Sequence, residues 1–469
     1  MIKINITTLG CPKNVADSGH LKKSLMQEGF LHVDEPEDAD LLIVNTCGFI
    51  KEAKEESVEE ILRLAEIKER QADKGSGQKK KLVVLGCLAK RYLEELRSQI
   101  PEIDNIWGVG EEDSIIEYCK DNLTKDVAFE PAENIGTQAI RSGPPVASSY
   151  AYLKIAEGCD KKCTFCVIPS IRGRFRSLRP EEILKEAEYH IHSGVRELIL
   201  VAQDITNYGK ELRGYKLVSL LRDMISITGD FQIRLLYLYP TMIDDQLLEY
   251  MANEDKIVNY LDIPLQHSED RILRLMGRRG TKKEYHKLIR NIRRTVPGVA
   301  IRTTFIAGFP TETEEEFNGL VEFIEEMRFD RLGVFKYSRE EGTPASTLKG
   351  QIPERVKGRR LDEIMTRQAL ISLEKNKDLI GKTYPAVIDE VDDDVALARL
   401  YSHAPEIDGM VIIDRREGVG EKERSVGEIV TVKITDAYDY DVKGKIIDNV
   451  RPQFAEAKIN HRSRTATSK

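Results

Sequence analysis

Two periodicities take turns along the chain. Residues 2–8 alternate and then run apolar, as a strand does, and residues 14–28 repeat on a helical period. Asp40–Thr46, with Leu41-Leu42-Ile43-Val44 inside it, predicts a buried strand, and a charged amphipathic helix follows from about Lys51 to Lys68. Lys81–Leu85 predicts another buried strand and Ala89–Ser98 another helix. Continuous apolar strands alternating with helices imply a parallel sheet covered on both faces. From Tyr150 a second alternation begins. Strands are expected at 152–156, 197–201, 232–238, 260–263, 299–305 and 331–335, with helices between them such as 180–193 and 312–327. Six such β/α units fit a partial TIM-like barrel, whose chemistry belongs at the carboxyl ends of its strands. Residues 381–450 change again. Short β-branched stretches (384–388, 409–413, 429–434) broken by turn and charge clusters predict a small antiparallel β-barrel.

The expected fold class is therefore α/β with a small β-barrel appended. The divisions are 1–125 for the first sheet, 126–148 for a Pro/Gly/Ser-rich linker, 149–378 for the partial barrel, 379–450 for the small barrel and 451–469 for a polar, disordered tail. Gln71–Lys80 is expected to be a solvated loop, and Trp107 to pack in a core or between domains.

At 469 residues and 41% hydrophobic content the chain has enough apolar material for several cores. It has no run of about twenty apolar residues, the length a membrane span needs, and Met1–Ile6 starts as a strand, not as a signal peptide. Seven cysteines are an odd number at low density, which favours reduced, metal-binding thiols in the cytoplasm over a disulfide framework. A net charge of −8 makes no general case for binding nucleic acid.

The cysteines change the picture. Cys159, Cys163 and Cys166 form C-x3-C-x2-C on one short loop, with Phe165 before the last thiol. Structural zinc closes with four ligands, and no His or fourth Cys lies nearby. A 4Fe–4S cluster held by three thiolates instead leaves one iron open to an outside ligand. S-adenosylmethionine can chelate such an iron through its amino and carboxylate groups and be cleaved by one electron. A metal site completed from elsewhere, or thiols that bind nothing, are the alternatives. Cys11, Cys47 and Cys87 each follow a predicted strand of the first sheet, which puts three thiols on one edge, where ligands of such sheets gather. Core thiols or a second open-iron cluster both fit that placement. Cys119 has no such context and is expected to be structural.

At the expected mouth of the second barrel stand Gln203-Asp204, Tyr239-Pro240, Gln266-His267, Gly308–Glu312 and Tyr337–Arg339. Phe165, Gln203, Asp204, Gln266 and Glu312 are the candidate contacts for S-adenosylmethionine. His267 is balanced between a site role and a hydrogen-bonded structural one. Arg172, Arg174, Arg176 and Arg179 are either surface charge or an anion contact.

On Leu9–Asn14, Asn45–Ile50, Gly86-Cys87-Leu88, Ile168–Gly173, Val201–Asp204 and Pro264–His267, the chain resembles the methylthiotransferase family of radical-SAM enzymes over about residues 2–450. The resemblance implies a flavodoxin-like first domain, a radical-SAM barrel and a C-terminal TRAM barrel. Pro12-Lys13 and Ser170-Ile171 match the branch that modifies a small-subunit ribosomal protein; a sibling branch, with Gln-Met and Tyr-Thr there, modifies an adenosine in tRNA. Gly19 and Leu178 depart from the family, which usually has Glu and often Arg. The implied reaction replaces C–H by C–S–CH3 at the β-carbon of an aspartate in the twelfth small-subunit ribosomal protein. It implies two 4Fe–4S clusters, on Cys159/Cys163/Cys166 and on Cys11/Cys47/Cys87, with S-adenosylmethionine and an electron donor such as flavodoxin or ferredoxin. A tRNA methylthiotransferase, and an iron–sulfur carrier without catalysis, are the competing readings.

Overall fold

A computed structural model describes residues 2–72, 80–123, 148–415 and 424–447. The expected linker apart from its last residue, the 451–469 tail and most of the Gln71–Lys80 loop lie outside these residues.

The first sheet has the order β2-β1-β3-β4-β5, all parallel: β1 Lys3–Thr8, β2 Leu31–His32, β3 Leu41–Thr46, β4 Lys81–Gly86 and β5 Asn105–Ile106. This is the flavodoxin-like order, with its switch point between β1 and β3. β3 is buried along its whole length, which is why its sequence runs apolar without alternating. Helices α1 Pro12–Gln27 and α2 Lys51–Ala72 follow β1 and β3. The single helix expected over 89–98 is instead α3 Cys87–Arg91 and α4 Leu93–Gln99. They part at Tyr92 (φ −130°, ψ 40°), whose hydroxyl donates to Glu341 of the next domain. A further helix, α5 Glu112–Leu123, buries Cys119 in the same core as Trp107, the structural place expected for both.

The second sheet is six parallel strands in the order β13-β12-β11-β10-β9-β6. They are β6 Tyr150–Lys154, β9 Glu197–Val201, β10 Gln232–Leu235, β11 Ile257–Asp262, β12 Ala300–Ala307 and β13 Arg331–Lys336, with the two-residue ladder of β7 Ala156–Glu157 and β8 Arg176–Ser177 outside it. Helices α6 Ile168–Arg172, α7 Pro180–His192, α8 Leu217–Ile225, α9 Asp245–Asn253, α10 Asp270–Leu275, α11 Lys282–Thr295 and α12 Glu314–Met327 fill the crossovers, and α13 Glu354–Lys377 closes the domain. Along β9 the side chains alternate: Leu198 and Leu200 join the large core under the helices, Ile199 and Val201 the inner one.

That inner face is stopped at both ends by the other domains. Ala16 of α1 enters its cluster from one side and Ala404 and Tyr401 from the other. The last two belong to the loop between β15 Val395–Arg399 and β16 Val411–Asp414 of the C-terminal barrel. The loop plugs the amino-terminal ends of the strands: the Tyr401 hydroxyl donates to Gly298 O at 3.0 Å and the Tyr260 hydroxyl to Asp408 Oδ2 at 2.7 Å. Arg399 pairs with Glu197 at 2.6 Å, and Arg234 pairs with the same carboxylate.

The C-terminal strands β14 Thr383–Val391, β15, β16, β18 Val442–Ile446 and β17 Ile429–Ala437 close into a barrel in that order. Four joints are antiparallel, as expected, but β16 and β18 run parallel. An odd number of strands in a closed ring cannot alternate direction at every joint. Among the described residues no helix is long and apolar enough to cross a membrane.

Glu197→Ala leaves two buried guanidinium groups without their shared carboxylate, a loss of about 3–5 kcal/mol. Hydrogen exchange in β15 and the 400–408 loop should rise well above wild type; unchanged protection there would show that the pairing does not hold the plug.

Candidate active site between two sets of thiols

The first thiol set is built by the strand ends of the flavodoxin-like sheet. Cys11 caps α1 after β1, Cys47 follows β3, and Cys87 opens α3 directly after β4. The three turns touch. A Cβ on Gly10 would stand 2.8 Å from the Cys47 sulfur, and one on Gly48 2.9 Å from the Cys87 carbonyl carbon, so only glycine lets the turns meet. Asn14 locks two of them by donating to Leu9 O at 2.8 Å and Thr46 O at 3.1 Å. Burial pushes the Cys47 thiol up to about 11 and raises Cys87 as well. Such thiols stay protonated until a bound cation draws the protons off.

The second set sits on the 159–166 loop after β7. Cys159 N donates to Gly173 O at 3.1 Å, and Thr164 donates through its N–H to Met276 O at 2.9 Å and through its hydroxyl to Leu275 O at 2.7 Å. These bonds fasten both ends of the loop to the barrel. Arg278 Nη1 lies 3.9 Å from Cys163 Sγ and the guanidinium stacks 4.6 Å from the Tyr239 ring centre. Arg278 is only 9% exposed, yet among the described residues it makes no ion pair; its Nη2 donates to Pro264 O at 2.5 Å and its Nε has no partner. A buried cation without an anion is costly, so the surroundings fit an anionic group held by these thiols. Lys13, buried beside Cys11, is unpaired in the same way. Among the described residues no three Cys, His, Asp or Glu side chains converge as around a single metal ion; an iron–sulfur cubane is wider than one ion and its thiolates stand farther apart.

The two sets face one another across the domain boundary. Cys87 shares a small apolar cluster with Val167, the residue after Cys166, and with Ile171, Phe49 and Val109. Arg172, at the end of α6, crosses the boundary. Its Nη2 donates to Asn14 Oδ1 at 2.7 Å, and its Nη1 reaches Asp17 at 3.2 Å and Glu157 at 3.0 Å. Arg172 is thus neither surface charge nor a free anion contact. Arg174 and Arg179, by contrast, are exposed and pair locally with Asp160 and Glu182. A second bridge holds the far side: Glu340 accepts from Lys54 at 2.8 Å and Arg91 at 2.6 Å.

The candidate S-adenosylmethionine contacts divide. Gln203 donates to Glu157 at 3.0 Å, and among the described residues its buried Oε1 has no partner, an acceptor open to a ligand's donor. Gln266, four residues after β11, has φ +72°, and Tyr237 and Thr311 adopt positive φ after β10 and β12. Strain of this kind gathers at functional sites. Phe165 is half-buried against Ile272, Met276 and Phe309. Asp204 is spent on Thr206, Asn207 and Lys161. Glu312 is spent on the Gly308 N–H, Arg360 and His267. These two carboxylates brace the mouth from behind. His267 is wholly buried; its Nδ1 accepts from Glu269 N–H at 3.0 Å, the hydrogen-bonded structural role. Neither Arg278 nor Tyr237 stands out in the sequence as part of the site.

Three family descriptions match the chain: Uncharacterized protein family UPF0004 over residues 3–108, the Radical SAM superfamily over 153–324 and the TRAM domain over 380–447. The ribosomal protein uS12 methylthiotransferase RimO of Thermodesulfovibrio yellowstonii is 58% identical over 449 residues, 95% of this chain and 100% of that protein. The RimO of Desulfitobacterium hafniense is 43% identical over 450 residues, 95% and 98% of the two chains. The chain belongs to the RimO family of ribosomal protein uS12 methylthiotransferases. It is a transferase with a radical-SAM domain. Among solved structures, the radical S-adenosylmethionine methyltransferase TsrM from Kitasatospora setae matches with a TM-score of 0.52 at 13% identity, covering 85% of this chain and 81% of that one. The cobalamin-dependent S-adenosylmethionine radical enzyme OxsB matches at 0.51 and 13%, covering 80% and 56%. At that identity both speak to the fold alone. At the two positions that depart from the expected pattern, a Cβ on Gly19 would meet nothing within 4 Å, and Leu178 packs on the barrel core.

Burial alone would raise the Glu340 carboxyl; hydrogen bonds from Lys54, Ser338 and Arg91 outweigh it and hold it below the usual range. A depressed carboxyl stabilises above its ordinary value and loses that contribution as pH falls through the folded one. Glu340→Gln should therefore loosen the domain boundary at neutral pH, read as faster hydrogen exchange in α2 and α3. The wild type should approach the variant only below about pH 4.5. Equal exchange in both proteins at pH 7 would contradict this role.

Proposed function

We propose that the chain adds a methylthio group to the β-carbon of an aspartate in ribosomal protein uS12, with Cys159, Cys163 and Cys166 holding a 4Fe–4S cluster that binds S-adenosylmethionine and Cys11, Cys47 and Cys87 holding a second. The observation that carries the reading is the shared packing of Cys87 and Val167, which sets the two thiol sets against one interdomain space. An unactivated C–H bond has no useful acidity, so the reaction requires a radical, which is the chemistry the Cys159/Cys163/Cys166 cluster supplies once S-adenosylmethionine is bound.

The chain's own residues do the rest. Arg172 and Asn14 fix the register of the two domains, so that a carbon activated beside one thiol set lies near sulfur carried by the other. Val167, Ile171, Phe49 and Val109 keep water from that side of the junction. Gln203 offers its free Oε1, and Phe165 and Gln266 line the mouth as further S-adenosylmethionine contacts. Asp204 and Glu312 act through Lys161 and the Gly308 turn. An external one-electron donor of flavodoxin or ferredoxin type, in the cytoplasm, completes the scheme.

A protein substrate also suits the C-terminal barrel. Residues 381–450 carry sixteen Asp or Glu against nine Lys or Arg, a balance of −7. Phosphate contacts supply much of the affinity for nucleic acid, whereas a net acidic balance favours a basic ribosomal protein.

Alanine at Cys159, Cys163 and Cys166 together should abolish reductive cleavage of S-adenosylmethionine while leaving one cluster's iron. Alanine at Cys11, Cys47 and Cys87 should remove one cluster's iron and all methylthiolated product, with some cleavage surviving. Full methylthiolation by the second variant, or methylthiolation of tRNA and not of uS12 by the wild type, would overturn the proposal.

A further inference from the structure

We infer that Lys13 selects the acidic side chain of the target by pairing its ammonium with the substrate carboxylate; the inference rests on the uS12 reading above. Lys13 is the second residue of α1, directly after Pro12 and two residues beyond Cys11. It is 9% exposed, and its Nζ stands 3.7 Å over the centre of the Tyr237 ring. Tyr237 belongs to the apolar cluster on the inner face of the barrel, with Tyr152, Val201 and Tyr260. The lysine therefore reaches from the first thiol set into the mouth of the radical-SAM barrel.

The charges at this junction are otherwise matched. Lys154 pairs with Asp17 and Glu157, Arg172 with the same two carboxylates, and Arg302 with Asp262 and Asp408. Among the described residues Lys13 makes no ion pair; it lies over the face of an aromatic ring, and the Glu157 carboxylate acts on it only at longer range. A cation–π contact compensates a buried ammonium less well than a charge-assisted hydrogen bond to a carboxylate.

The residue that carries the ring is fixed through its backbone. Tyr237 has φ +62°, donates its N–H to Asp262 Oδ2 at 3.1 Å and accepts at its carbonyl from Ile205 N at 3.2 Å. Its hydroxyl makes no hydrogen bond among the described residues. A strained tyrosine fixed by its backbone and open at its tip, beneath an unpaired buried lysine, forms a floor for an incoming anion. An aspartate whose carboxylate sits on Lys13 has its β-carbon one bond away, held beside Cys11 and at the barrel mouth. Asparagine, equal in shape, brings no charge to the lysine.

The competing role is counter-charge for iron bound at Cys11, and the two separate experimentally. Affinity is measured between the reconstituted enzyme and uS12 carrying either its target aspartate or asparagine there, with iron content and the electron paramagnetic resonance signals of both clusters followed in parallel. Wild type should prefer the aspartate form by roughly 30-fold or more, the scale of a buried charge pair losing one partner. Lys13→Met should erase the preference with both clusters retained, and Lys13→Arg should keep it. A preference that survives in Lys13→Met overturns the inference. Should Lys13→Met lose iron, Lys13→Gln is read in the same way, and loss of iron in both makes Lys13 a counter-charge and no selector. Wild type that binds neither form of uS12 but binds tRNA overturns the substrate reading, and this inference with it.

Discussion

Arg172 is the constraint on which the arrangement depends. Its side chain is 1% exposed and joins Asn14 and Asp17 of the first domain to Glu157 of the second. A guanidinium out of water is tolerable only with its donors satisfied and its charge met, and here that condition is fulfilled only when the two domains are docked. Separated, each domain would expose part of an ionic cluster that makes sense only whole. The same residue lies beside Cys87 and Cys11, and burial of its charge is offset by the carboxylates of Asp17 and Glu157. Domain register and the electrostatics of the first thiol set are thus one structure.

The remaining domain has a complementary part. Six strands cannot close a barrel that eight would, so the inner face needs cover. It receives α1 at the mouth and the 400–408 loop at the base. Glu197, shared by Arg234 and Arg399, ties the base as Arg172 ties the mouth. The three domains are therefore a single scaffold around one space, not modules on a string.

Much of this was legible in the sequence, and what was not has physical reasons. Runs such as Leu41–Val44 declare a doubly covered strand, and the strand-end positions of Cys11, Cys47 and Cys87 follow from that alone. The C-x3-C-x2-C loop carries its chemistry in its spacing. Arg172, in contrast, reads as one of four nearby arginines, because its partner Asp17 is 155 residues away and only tertiary structure joins them. α13 shows only a thin apolar stripe: beside Ile364 and Ile371 it buries Lys357, Arg360, Gln368, Ser372 and Asn376, and Lys357, Arg360, Gln368 and Asn376 find partners on other elements. The parallel β16–β18 joint follows from ring closure, not from any local pattern. Lys13 is an exposed residue by composition and a buried one by position.

The central claim is that the two thiol sets hold clusters close enough to act on one substrate carbon. It is tested most directly by electron paramagnetic resonance of the fully reconstituted, chemically reduced protein, set beside the two triple-alanine variants that each keep one cluster. The account predicts a spectrum broadened and split by spin–spin coupling, which neither variant shows and their sum does not reproduce. A wild-type spectrum equal to the sum of the two variant spectra, at all temperatures and microwave powers, would contradict it.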